Sequence, residues 1–261
     1  MTGTFFAVGL SGLLAVLGLA FLVWLISLAK RDASIADVFW GLGFAVLAWL
    51  YQDLGDAESF RAVLVPLLVT VWGVRLSAHI LARGRGQGED PRYAAMRRRW
   101  GSRFPLVSLF TVFWLQAGIL WIVALPLLQV QTAVAPWSWL DGVGVALFTV
   151  GFVFEAVGDL QLLRFRADPA NRGRVLDRGL WRYSRHPNYF GDAALWWGFG
   201  FLALGTQGGV WTLLGPAVMT FLLRRVSGVT LLEKGLRESR PGYSDYVRRT
   251  NAFFPWWPHR F

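Results

Sequence analysis

The sequence predicts an all-α polytopic membrane protein, with seven transmembrane helices and ligand-binding loops gathered on the cytoplasmic side. Three observations predict it. Of 261 residues, 55% are hydrophobic and only 16% charged, too few charges to cover the apolar surface of a soluble domain of this length. Runs of about 20 mostly apolar residues, enough to cross a bilayer as a helix, recur along the chain. Lys and Arg, moreover, are confined almost entirely to alternate loops.

The spans fall at 4–29, 35–52, 61–82, 105–130, 137–163, 188–205 and 208–232. The first follows only Met1 to Thr4, with no basic leader and no small-residue cleavage site after it, and reads as a retained helix. The second and sixth are short, as tilted spans or spans flanked by polar backbone can be. This arrangement places Lys30 and Arg31, loop 83–104, loop 164–187 and the tail after Leu223 on one side, with 24 of the 26 Lys and Arg. Only Arg61 and Arg75 fall elsewhere, and loops 53–60, 131–136 and 206–207 hold none. By the positive-inside rule the N-terminus is outside and the C-terminus cytoplasmic, in a membrane of the bacterial inner-membrane kind. An even number of spans would destroy that agreement. Without repeats or low-complexity tracts, residues 1–261 read as a single membrane domain.

Composition also excludes several functions. There is no cysteine for a disulfide, a thiolate metal site or a nucleophile, and the three histidines, His79, His186 and His259, are scattered, so no metal is expected. The net charge of +10 is first a matter of topology and anionic lipid headgroups; no nucleic-acid recognition fold accompanies it.

Three polar clusters beside helix ends carry more than topology requires. LARGRGQGEDPRY, residues 81–93, has glycines that let backbone approach a ligand, and Arg83 and Arg85 can fork onto phosphate oxygens. Taken singly it reads better as a flexible basic loop, since no strand precedes it. EAVGDLQLLRFRADPANRGR, residues 155–174, sets Glu155 and Asp159 on one helix face, with Arg166, Arg172 and Arg174 following. Acids in a spanning segment are costly and point to a functional site, although a structural pair with nearby arginines is the alternative. RYSRHPNYFGD, residues 182–192, offers Arg182, Arg185, His186, Asn188 and Asp192 to an anionic ligand where a membrane helix begins. Pro187 fixes the entry to that helix, and Asn188 and Asp192 share a face. Arg185 or His186 alone would read as an interfacial anchor.

RYSRHPNYFGD, the Trp196–Trp197 pair after it and the tail RPGYSDYVRRTNAFFPW at 240–256 resemble the steroid 5α-reductase family, particularly its bacterial, DUF1295-like members. The resemblance runs from about the second span to the C-terminus. A similar RHP-x-Y-x-G string occurs in membrane methyltransferases of the isoprenylcysteine and phospholipid types, where it serves S-adenosylmethionine. The reductase resemblance implies a monomeric seven-helix oxidoreductase that binds NADPH among its cytoplasmic loops and reduces a C=C bond conjugated to a ketone in a steroid-like lipophilic substrate. It also implies roles for residues. Arg83, Arg85, Arg166 and Arg174 would meet the phosphates, Glu155 and Asp159 a ribose or the adenine side, and Asn188 with Asp192 the nicotinamide end. Tyr243, Tyr246 and Arg249 would close over the cofactor.

The family polarises the ketone with a glutamate of the second span hydrogen-bonded to a tyrosine of the third. Asp37 in SIADVFWGLGF stands at the glutamate's place, and the third span has no tyrosine. Asp37 would act as the acid if burial keeps it protonated, or is alternatively a helix-start residue after Ser34. Aromatics such as Trp40, Trp114, Trp121, Trp196 and Trp197 can wall an apolar cavity, or serve packing and interfacial belts. A membrane methyltransferase is the second reading. A transporter is third, disfavoured because the polar groups gather at one face instead of lining a route across the bilayer.

Overall fold

The computed structural model describes residues 2–226, 233, 235, 236 and 240–259, and among them every regular element is helical. The first three helices are α1 (Thr2–Lys30), α2 (Ile35–Leu54) and α3 (Phe60–Gly84). A nearly continuous helical run follows, made of α4 (Pro91–Trp100), α5 (Phe104–Ser108), a wide π-turn at Leu109–Trp114 and α6 (Leu115–Val123). Then come α7 (Leu125–Thr132), α8 (Trp139–Ala167), α9 (Pro187–Leu204), α10 (Leu214–Phe221) and the short α11 (Tyr243–Arg249). Five of these are long and apolar enough to cross a membrane: α1, α2, α3, the run Pro91–Val123 and α8. The expected sixth span is α9, 18 residues long, with Asn188 and Asp192 in its first turns. The expected seventh, 208–232, opens as a 3-10 turn at Gly209–Leu213, continues through α10 and a π-turn at Leu222–Val226, and from 227 lies outside the described residues.

The chain packs as two compact units. One runs through Trp137 and takes back Ala203–Leu214; the other comprises Ser138–Leu202 and the chain from Gly215 onward. In the first, α2 and α3 form a hairpin that closes at Gly41 and Gly73. A Cβ on Gly41 would sit 2.5 Å from the Gly73 carbonyl oxygen, so only glycine permits this approach. The indole of Trp49 donates to Thr70 Oγ1 at 2.9 Å across the same hairpin. Two further indoles tie α1 to the 104–123 run: Trp24 donates to the Pro105 carbonyl at 2.9 Å and Trp121 to that of Gly9 at 2.8 Å.

Arg61, one of two basic residues outside the expected pattern, is almost wholly buried, and its guanidinium donates to the Ala135 and Pro136 carbonyls at 3.3 Å each. Its guanidinium caps loop backbone, which accounts for a buried arginine away from the basic loops.

The second unit is organised by α8 against α9. Gly144, Gly151 and Gly158 recur every seventh residue on the buried face of α8. They meet Gly198, Leu195 with Gly191, and Asn188 of α9 in antiparallel order. A Cβ on Gly144 would lie 2.8 Å from the Gly198 oxygen, and one on Gly191 would overlap the Glu155 backbone. The two backbones therefore touch, which brings Glu155 and Asp159 against the first turns of α9. We expect Gly191→Leu to lower the melting temperature in detergent, at an overpacking cost of about 1–3 kcal/mol or more. Gly142→Ala, whose new methyl meets nothing within 4 Å, should leave melting unchanged or raise it.

Candidate functional site

In the first unit the turn between α1 and α2 is clasped to the start of α4. The Ala33 amide donates to Glu89 Oε1 at 2.9 Å, and the Asp90 amide to Ser34 Oγ at 2.7 Å. Glu89 is held in turn by Arg97, at 3.0 and 2.7 Å. Burial works to raise the Glu89 carboxyl, but the Arg97 guanidinium and the Ala33 amide outweigh it and hold the group below the usual carboxylate range. Gly86 and Gly88, at φ +74° and +70°, make the tight turn that delivers this acidic pair.

Next along, Arg92 and Tyr93 both reach Asp37 in the first turn of α2. The Tyr93 hydroxyl donates to Oδ1 at 2.6 Å and the Arg92 guanidinium to Oδ2 at 2.8 Å. Two expectations change here. The phenol partner absent from the third span is present after all, supplied by Tyr93 of α4. And Asp37 is not arranged as a proton donor, because both its oxygens already accept from strong donors. The phenol's single proton is committed to Asp37, so the Gln116 amide facing the phenol oxygen at 3.3 Å must present its NH2.

Gln116 also lines a narrow apolar crevice of about 40 Å³, formed by α1, α2 and the 113–120 turns. Phe39 and Trp40 wall it from α2, Val16 and Val23 from α1, and Phe113 and Leu120 from the third side. An acid–phenol–amide chain thus ends at an apolar hollow. Tyr93 and Gln116 were missed from sequence. Tyr93 lies in the Gly-rich string among arginines, and nothing in its spacing announces a partner 56 residues away.

In the second unit Glu155 and Asp159 are buried, at 3% and 5% exposure. The Asn188 side-chain NH2 donates to Asp159 Oδ1 at 3.0 Å. Its carbonyl oxygen is buried with no hydrogen-bond partner among the described residues. Asp192 lies one turn further along the same face of α9. Arg166, in the last turn of α8, and Arg174 in the loop are exposed. Arg83 and Arg85 belong to the first unit, exposed at the end of α3, and make no ion pair among the described residues.

Arg182 is exposed, whereas Arg185, His186 and the tail tyrosines are used inside the protein. Arg185 is buried and forks onto Glu233 at 2.8 and 3.1 Å, while donating to the Val247 and Thr250 carbonyls. His186 Nε2 lies 3.2 Å from the same carboxylate, and its ring stacks on Tyr189. These two residues are therefore not available to an external anion. The Ser184 hydroxyl donates to the Phe253 carbonyl and the Arg185 amide to that of Asn251, both at 2.8 Å, which pins the tail along the entry to α9. Tyr243 and Tyr246 are buried in α11, and the Tyr246 hydroxyl donates to the Trp181 carbonyl; burial pushes that phenol up. Arg249 is half-exposed, 3.6 Å from Asp177.

Burial of Glu233 favours its neutral form, yet the hydrogen bonds from His186 and Arg185 and the Arg185 charge bring it down to about 2. A carboxyl depressed in the folded state stabilises the fold above its unfolded pKa and loses that contribution as the pH falls. Melting temperature should therefore decline between about pH 4.5 and 2. Glu233→Gln should melt lower at pH 7, since removing one partner of a buried pair costs about 3–5 kcal/mol, and should show a shallower acid decline.

The family described as "Protein of unknown function (DUF1295)" matches residues 23–250. An uncharacterized protein of Schizosaccharomyces pombe is 27% identical over 279 aligned positions, covering 94% of this chain and 78% of the relative. No solved structure matches the chain.

Proposed function

The chain belongs to the DUF1295 family, and we propose that it is a seven-span membrane reductase that uses NADPH to reduce the C=C bond conjugated to a ketone in a lipophilic, steroid-like substrate. One observation carries this reading: the Tyr93 phenol seated on Asp37 and joined through Gln116 to an apolar crevice. The resemblance to steroid 5α-reductases calls for an acid paired with a phenol at a hydrophobic pocket, and this chain assembles one from a different helix. In this reading α9 and the segment from Gly209 are the sixth and seventh spans, with the N-terminus outside and the basic loops cytoplasmic.

The residues of the second unit suit the cofactor. The unpartnered Asn188 carbonyl oxygen, oriented by Asp159, is an acceptor of the kind a carboxamide NH2 requires. Asp192 would hold the same end, Glu155 and Asp159 would face ribose hydroxyls, and Arg166 and Arg174 would engage phosphate oxygens. When bound, NADPH would supply hydride to the β-carbon of the enone, and a proton taken from solvent at the α-carbon would complete the reduction.

The chain's own groups manage the charge that appears on the ketone oxygen. Gln116 keeps a second N–H beyond the one facing Tyr93, and that donor belongs to a residue lining the crevice. Behind it the phenol, Asp37 and Arg92 fix the amide's orientation, so the dipole is set before charge develops. The apolar walls exclude water, which strengthens that interaction. Asp37 is here a positioning residue for the phenol and amide.

Purified protein should gain thermal stability with NADPH and none with S-adenosylmethionine; the reverse preference would reassign it to the methyltransferases. With an enone such as a 3-oxo-Δ4-steroid, Tyr93→Phe and Asp37→Asn should each lower kcat by about tenfold to a hundredfold while leaving NADPH affinity unchanged. Asn188→Ala should weaken NADPH binding, and unchanged affinity would remove that residue from the site.

A further inference from the structure

α8 has a buried face and an exposed one. Glu155 and Asp159 belong to the one packed on α9. On the other side Val150, Val153, Val157 and Leu160 are exposed by 48%, 50%, 36% and 42%, forming a stripe at three- and four-residue spacing. The next residue in register is Arg164, in the helix's last turn. It is exposed and has no ion-pair partner among the described residues.

At that point the chain folds back to form a polar groove of about 340 Å³, lined by Gln161, Arg164, Phe165, Asn171 and Arg178, among others. The groove is built, not incidental. Gly179 adopts φ +62°, and a Cβ there would fall 2.6 Å from the Gln161 amide, so glycine is needed for the 178–180 backbone to wrap that side chain. The Leu180 amide donates to Gln161 Oε1 at 3.0 Å, which leaves the Gln161 NH2 as a donor. The Arg178 guanidinium lies over the Phe165 ring, 5.9 Å from its centre, and is thereby restrained. Asp168, the acid of the groove, is occupied with the Ala170 amide at 2.9 Å and the Asn171 side chain at 3.3 Å. Two guanidinium groups and an amide therefore face the groove with no acid spent on them.

We propose that this groove binds the phosphate of an anionic phospholipid whose acyl chain lies along Val150, Val153, Val157 and Leu160. A stripe of this kind on a membrane-crossing helix is covered by hydrocarbon, and the phosphate of the covering lipid reaches the helix end, where Arg164 and Arg178 wait. Guanidinium groups fork onto phosphate oxygens, and the Gln161 NH2 adds a neutral donor. The lipid site lies on the face of α8 away from Asp159, so it does not depend on the reductase reading.

The test uses the full chain in detergent, titrated with phosphatidylglycerol, with phosphatidylcholine of the same acyl chains and with inorganic phosphate. Melting temperature and lipid retained in native mass spectrometry are read. Phosphatidylglycerol should be retained and raise the melting temperature; phosphatidylcholine and inorganic phosphate should do neither. Arg164→Gln with Arg178→Gln should weaken phosphatidylglycerol binding by about tenfold or more, and Arg98→Gln with Arg99→Gln should not. Equal responses to the two lipids, an equal response to inorganic phosphate, or equal losses from both arginine pairs would each overturn the proposal. Should the double variant melt early without lipid, Arg164→Gln alone decides, and unchanged lipid occupancy rejects the site.

Discussion

The second unit depends on backbone-to-backbone contact between α8 and α9. Helices in lipid gain little from burying one apolar surface against another, so close approach of small residues and polar bonds across the seam do the work of association. Gly144, Gly151 and Gly158 supply the approach, and the bond from Asn188 to Asp159 supplies the polar link. The seam also explains how two acids survive inside a membrane protein: they are pressed against the polar start of α9. That start is in turn anchored by Arg185 and His186 on Glu233 and by the tail on residues 183–185.

The arginines divide by what surrounds them. Arg61 and Arg185 are buried and saturated by carbonyls or a carboxylate. Arg92 and Arg97 knit the clasp between the first interhelical turn and α4. Arg83, Arg85, Arg164, Arg174 and Arg178 are among those that remain exposed. Removing Arg185 strips the buried Glu233 carboxylate of its guanidinium and removing Arg61 leaves two loop carbonyls short of a donor, whereas a change in the last group has little effect on the fold.

Much of the helical layout was legible in the chain. The apolar runs place α1, α2, α3 and α8 within two to four residues of their observed ends, because length and hydropathy suffice for isolated spans. The wide turn at Leu109–Trp114 and the break at Ala124 were not, since an apolar run reads the same whether its turns are regular or loosened. The site was half visible. Glu155, Asp159, Asn188 and Asp192 stand out as polar residues in apolar surroundings, and Asn188 proves to be bonded to Asp159. Arg185 and His186 drew the same attention and turned out to be internal, because Glu233 is remote in sequence and a cation's partner cannot be read from its own neighbours. Tyr93 escaped for the same reason.

The clasp of Glu89, Asp90, Arg92 and Tyr93 on Ala33, Ser34 and Asp37 begins and ends the α2–α3 hairpin at one place. Both helices are thereby locked in length. One residue added to either would advance everything beyond it by about 1.5 Å and swing it by about 100°, parting Gly41 from Gly73 or Tyr93 from Asp37. Evolutionary drift in the size of this hairpin has only the non-helical stretches in which to occur, the bend at 55–59 and the exposed Gly-rich turn at 85–88, and relatives that keep the acid–phenol pair should be found to vary in length there and not within the helices.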